Sequence, residues 1–280
     1  MRPSSIIVGS MLATIYSTTA QSSYVYSAVG SFETKTITNS SMDSRIVDAY
    51  AASGSGTTLE PKIYAKAKSD FGLNAARSFT SLSTSVLPYF AISIWSDFFT
   101  PGDVGGWGLE LDEYPTYYVY IHGTIQPEFN PDTYNGYYDV HYLAVQSQNE
   151  ISSEDFIAML TRQASTSNVS VKFDLTIDSD VIPGEYIYSQ QFGVDPVACP
   201  SENNCFVGRY VTSGLFVVAG SGYDIDFSNT VKFTVQPPPG INITSQSGAN
   251  YSASPVPIPT SFWLFVSAMS GLSAFMRRKK

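Results

Sequence analysis

An alternation of apolar and polar side chains, with a period of two, recurs between residues 62 and 236 and constrains this chain more than any other feature. Successive side chains of a β-strand point to opposite faces, so this pattern specifies strands with one buried side. Ile63, Ala65 and Ala67 alternate with Lys62, Tyr64, Lys66 and Lys68. Val171, Phe173, Leu175 and Ile177 alternate with Lys172, Asp174 and Thr176. In 86–99, Ile92 and Ile94 share a face with Phe90. Further segments at 24–29, 32–38, 186–192, 206–212, 215–219 and 223–236 read the same way, which gives about ten short strands. The exceptions are helical. Residues 43–52 read as a helical turn, capped by Asp43 or Ser44 and ended by Gly54-Ser55-Gly56. Residues 152–163 read as a helix capped by Ser152 or Ser153, with Phe156, Ile157 and Leu160 as its apolar stripe. The expected fold is all-β: an antiparallel β-sandwich, jelly-roll-like, with one short helix.

The clearest hairpin joins 116–126 to 136–146 through PEFNPDTYN, a stretch of turn-forming residues. In its first strand Val119, Ile121 and Ile125 oppose Tyr118, Tyr120, His122 and Thr124. In its second, Tyr138, Val140, Tyr142 and Ala144 oppose Tyr137, Asp139, His141 and Leu143. If the apolar faces coincide, Tyr118, Tyr120, His122, Tyr137, Asp139 and His141 share the outer face. Sugar rings stack on flat aromatic surfaces of this kind, and hydroxyl and carboxylate groups bond their hydroxyls. An ordinary sheet face rich in tyrosine reads identically.

Charge and composition narrow the functional classes. The chain carries a net charge of −9, which falls to −14 without Arg2 and the four basic residues at 277–280. Such a body repels phosphate backbones, so a nucleic-acid partner is not expected. The 19 tyrosines, abundant Ser and Thr and sparse lysine suit an exported β protein. Cys199 and Cys205, the only cysteines, are expected to close a small disulfide loop in an oxidising compartment. The glycine-rich stretch 100–108 has no lysine and no strand-to-helix setting, so it is not a phosphate loop. No G-x-S-x-G elbow is present, and no carboxylate pair stands out for glycoside hydrolysis. No catalytic residue, cofactor or metal is therefore assigned. Asp178/Asp180 and Asp224/Asp226 read as acidic turns rather than calcium loops.

The two ends differ from the body. Residues 1–20 have the order of a secretory signal: Arg2, an apolar stretch at 6–16, and small residues at 18–20. The body then spans 21–250, and 251–259 form a proline-containing linker. Pro255, Pro257 and Pro259 alternate with Val256 and Ile258, and proline holds this segment extended. The 17 residues from 260 to 276 carry no charge. As a helix they would span about 25 Å, near the ~30 Å of a bilayer core. Arg277, Arg278, Lys279 and Lys280 come last, and such a cluster stays on the cytoplasmic side.

Val256-Pro257-Ile258-Pro259, the apolar run with Trp263-Leu264-Phe265, and the cluster at 277–280 together resemble the PEP-CTERM sorting signal. Ile258 stands where glutamate is commonest, giving the V-P-x-P form, and Gly271 alone represents the glycines usual in the helix. The body resembles this family as well, at Lys66-Ala67-Lys68-Ser69-Asp70-Phe71-Gly72, Trp95-Ser96-Asp97-Phe98, Asp226-Phe227-Ser228-Asn229-Thr230 and Thr244-Ser245-Gln246-Ser247-Gly248. The resemblance implies processing by an exosortase-type membrane protease, membrane attachment before processing, and a place at the cell surface or in an extracellular matrix. It also implies a structural role associated with exopolysaccharide and biofilm, without catalysis. A carbohydrate-binding module and a secreted hydrolase are the alternative classes.

Overall fold

A computed structural model describes residues 23–31, 36–43, 46–53, 63–81, 89–101, 109–110, 115–128, 137–193, 197–198, 204–206, 208–238 and 241–251. In chain order the strands are β1 Tyr24–Ser31, β2 Thr36–Asp43, β3 Ile46–Ser53, β4 Ile63–Asp70, β5 Leu73–Thr80, β6 Tyr89–Pro101, β7 Leu109–Glu110, β8 Thr116–Pro127 and β9 Tyr138–Ser147. The helix α1, Ser153–Leu160, comes next. After it run β10 Ser170–Asp178, β11 Glu185–Gly193, β12 Val197–Ala198, β13 Asn204–Phe206, β14 Arg209–Ala219, β15 Tyr223–Gln236 and β16 Ile243–Ser245. Two antiparallel sheets pack face to face. The first has the order β10-β9-β14-β6-β1-β2, with β16 also on β6, and the second β11-β8-β15-β5-β4-β3. A small third sheet joins β12, β13 and β7.

The expected sandwich is thus present, with two corrections. Residues 46–53 form strand β3, paired along its whole length with β4, not a helical turn. Pairing with β4 satisfies the backbone groups on that side of the segment, whereas a two-turn helix in isolation is poorly stable, so the local capping signal is overridden. The second correction concerns the hairpin. β8 lies in the second sheet and β9 in the first, so the two are not partners. Their side-chain patterns explain the separation. β8 is apolar on one side only, with Tyr117, Val119, Ile121 and Ile125 buried, whereas Val140, His141, Tyr142, Leu143, Ala144 and Val145 of β9 are all buried. A strand buried on both faces needs a sheet whose outer side is covered.

α1 supplies that cover. Ser152 caps it, its hydroxyl accepting from Asp155 N–H, and Phe156 and Leu160 bury completely. They lie over Gly214 of β14, where an added Cβ would sit 2.5 Å from Phe156 Cε1. Only glycine lets the helix come this close. Leu143, Val145, Ile94 and Phe216 belong to the same cluster.

Between the sheets the core has two textures. On the side of β4 and β5 the inward residues are small, including Ala65, Ala67, Ala76 and Ser69. The sheets approach closely there and are joined by hydroxyls. Ser69 Oγ donates to Tyr26 O at 2.6 Å, Ser93 Oγ to Lys68 O at 2.7 Å, and Thr80 Oγ1 to Ala219 O at 2.8 Å. Each bond satisfies a buried hydroxyl that would otherwise cost about 1–3 kcal/mol. Toward β8 and β15 the core is aromatic: Trp95, Phe99, Tyr117, Phe233 and Tyr251 pack with ring centroids 4.8–6.1 Å apart.

Candidate functional site

The aromatic surface expected from the hairpin is divided between the two sheets. Tyr118, Tyr120 and His122 succeed one another along the outer side of β8 and are half-buried. The Tyr118 hydroxyl donates to Gln236 Oε1 at 2.9 Å, and His122 Nε2 lies 2.7 Å from Glu185 Oε1 on β11. Tyr137, Asp139 and His141 lie on the first sheet. Tyr137 is exposed, and its hydroxyl reaches Asp139 at 3.4 Å. Burial raises the Asp139 carboxyl above its ordinary value. His141 is only 3% exposed. Its Nδ1 meets the Leu160 carbonyl and its Nε2 lies 2.8 Å from Asp174 Oδ1. This hydrogen bond holds the Asp174 carboxyl below the usual carboxylate range. His141 therefore ties the end of α1 to β10 and is removed from any surface. The signal was in the sequence: Leu143 continues the row of His141, and an apolar residue there argues against a solvated face.

The structure brings together another set of residues, around Asp97. Asp97 is fully buried on β6 and accepts five hydrogen bonds from the described residues. Oδ1 takes Ser23 Oγ at 2.6 Å, Phe98 N at 2.9 Å and Ser247 N at 3.0 Å. Oδ2 takes Ser247 Oγ and, at 2.9 Å, the Tyr251 hydroxyl. A buried carboxyl is costly without such partners. Burial, and then Asp97, push the Tyr251 phenol well above its ordinary value, so it stays a donor. The segment 241–251 is thereby clasped to the body. β16 pairs with the end of β6, Gln246 N donates to Phe98 O at 2.9 Å, and Val235 N donates to Tyr251 O at 2.8 Å. Gly72, at φ 80°, closes the β4–β5 turn beneath the Tyr251 ring, and a Cβ there would lie 3.0 Å from Tyr251 Cε1.

Three of the four body stretches singled out in the sequence meet in this clasp: 66–72 through Gly72, 95–98 through Trp95 and Asp97, and 244–248 through Ser247. The fourth, 226–230, is a bulge in β15, where the register to β5 shifts between Phe227 and Val231. Sequence reading marked these residues but not their meeting, because stretches such as those of Asp97 and Ser247 lie 150 positions apart. The chain matches no protein-family model, no curated protein and no solved structure.

Other expected features resolve differently. Asp224 and Asp226 flank Arg77 at 2.6 and 3.4 Å, so their charges are met by a guanidinium. Among the described residues no group of three His, Cys, Asp or Glu is placed to hold a metal ion, and no helix is long and apolar enough to cross a membrane. Cys205 lies on β13, opposite Val197. Cys199, Val256, Pro257, Ile258, Pro259, Arg277, Arg278, Lys279 and Lys280 lie outside the described residues. A polar cleft of about 380 Å³ at the end of the first sheet is lined by Gln146, Asn149, Glu150, Asn168, Ser170 and Arg209, among others. Its groups can bond a polar ligand, but no nucleophile with a neighbouring base is among them.

Proposed function

We propose that this chain is an exported cell-surface or extracellular-matrix protein whose β-sandwich body is delivered by a processed C-terminal tail. The observation that carries the reading is the order of the tail: extended Pro255–Pro259, an uncharged run of 17 residues, then Arg277-Arg278-Lys279-Lys280. In this reading residues 1–20 direct export and 260–276 span the inner membrane. The basic cluster opposes transfer of the helix through the bilayer. An exosortase-type membrane protease takes the proline segment, which proline keeps extended and short of internal hydrogen bonds. Exopolysaccharide is the proposed neighbour of the delivered body.

The clasp supports this reading. Among the described residues its contacts lie on the body side of Pro255, and they do not depend on the tail beyond that residue. Pro255 is four residues beyond Tyr251 in the sequence. The test uses the full chain in its own host, with separate tags on body and tail. Mass spectrometry should find the wild-type body without its tail. The Pro257→Ala/Pro259→Ala double variant should accumulate as an uncut membrane-held precursor. Retention of the tail by wild type, with identical localisation of the double variant, would reduce the tail to a plain anchor.

A row of half-exposed residues, Tyr118, Tyr120 and His122 on β8, supports a second reading, that of a carbohydrate-binding face.

A further inference from the structure

We propose that β11 is a self-pairing edge, through which two copies of this chain join their second sheets into one. Pairing with β8 is unbroken from Glu185↔Thr124 to Gly193↔Thr116. Ile125 N donates to Gly184 O at 2.9 Å, and these residues stand directly opposite one another in that register. In an antiparallel ladder such bonded pairs alternate. The bonds to β8 therefore fall on even-numbered residues. The N–H and C=O of Glu185, Ile187, Ser189, Gln191 and Gly193 point the other way, to the open side. The second sheet ends at β11, and among the described residues no strand pairs there.

Edge strands are normally protected by charge, proline, bulges or a covering element. The neighbouring edge, β10, has two of these: Lys172, Asp174 and Asp178 within nine residues, and a register shift between Val171 and Phe173. On the far side of the sandwich, β2 and β3 are consecutive in the chain and lie against one another across the two sheets. β11 has no register shift against β8 and, among the described residues, no covering element. Its sequence EYIYSQQFG holds one charge, Glu185, already 2.7 Å from His122, and no proline or basic residue. Ile187 is 59% exposed, and Ile182, in the turn before it, is 83% exposed.

The strand is also complementary to itself. In an antiparallel pair centred on Ser189, Glu185 faces Gly193, Ile187 faces Gln191, and Tyr186 faces Phe192. The two Glu185 side chains stand at opposite ends, roughly 27 Å apart at ~3.4 Å per residue. That exceeds the ~8–10 Å screening length at physiological salt. Aromatic pairs across strands are favourable, and Tyr186–Phe192 would occur twice. The acidic bodies repel at long range, so added salt should favour the pair. Self-pairing belongs to the body and does not depend on whether the tail is processed.

The test uses the full chain, produced in its own host and purified in non-ionic detergent. Bonded antiparallel partners have Cα atoms ~5.5 Å apart, within disulfide reach. Ser189→Cys should give a disulfide-linked dimer on a non-reducing gel, and Val171→Cys on the β10 edge should not. Ser189→Lys sets two like charges face to face. It should weaken self-association in sedimentation at least tenfold, with an unchanged circular dichroism spectrum. Ser189→Pro removes an outward N–H without touching the bonds to β8 and should act alike. Absence of the Ser189→Cys dimer, together with equal sedimentation of wild type and Ser189→Lys, would overturn the proposal. A Ser189→Cys adduct with a different protein would overturn it too, by giving the edge to another partner.

Discussion

The outer faces of the two sheets are built on opposite principles. That of the first sheet is apolar where β9, β14 and β6 run side by side, and α1 lies across it. That of the second carries Tyr118, Tyr120, His122, Lys232 and Arg77 and, among the described residues, has no helix over it. Arg77 there bonds Asp224 and stacks 5.2 Å over the Tyr64 ring, an arrangement that suits contact with water. The first face therefore contributes stability through burial, and the second is suited to contact with other molecules. An eight-residue helix decides which face is which. It does so through a close fit on Gly214 rather than through length.

The sharpest way to break this contrast is to empty the cover. Phe156→Ala removes a fully buried ring from the helix–sheet contact and should cost about 3–5 kcal/mol in chemical denaturation. A loss under ~1 kcal/mol would show that the helix merely rests on the sheet. A smaller effect should come from the link between the cover and the edge of the same sheet. The His141 hydrogen bond depresses the Asp174 carboxyl. Its contribution is therefore present above the ordinary carboxylate value of ~4. It is lost as pH falls through the depressed one. Asp174→Asn should therefore destabilise at about pH 6 by about 1 kcal/mol or less, since Asp174 is half exposed and water screens the pair. The difference from wild type should close as pH falls below the ordinary carboxylate range and through the depressed value. Asp139, raised by burial, shifts stability in the opposite sense. It is present in both proteins and cancels in the comparison. A difference that stays constant as the acid limb is traversed would mean that the carboxylate itself contributes nothing. The smallest effect belongs to the open face. Tyr118→Ala should change stability by within ~0.5 kcal/mol. If that face binds carbohydrate, the same variant should lose signal on a glycan array. Equal binding by both proteins would remove Tyr118 from that role.

Local pattern determined a good deal of this protein. Period-two alternation marked β4, β8, β9, β10 and β15, since side-chain direction along a strand depends only on neighbouring residues. The cap at Ser152 and the buried stripe of α1 were equally legible, because capping is settled within about four residues. The order of prolines, uncharged run and basic cluster at 255–280 is likewise a linear pattern, legible without a fold. Tertiary structure alone decided which sheet each strand joined. β8 and β9 are separated by one short connection, yet they sit in opposite sheets, because the covered face could hold Leu143 and Val145 and the open face could not. The same decision split the aromatic surface and sent His141 inward. The Asp97 clasp depended on it as well. Its donors come from residues 23, 98, 247 and 251, and no local rule measures the separation between them. What joins them is the cost of leaving a carboxyl unbonded in a core, and that cost exists only once the sheets have closed.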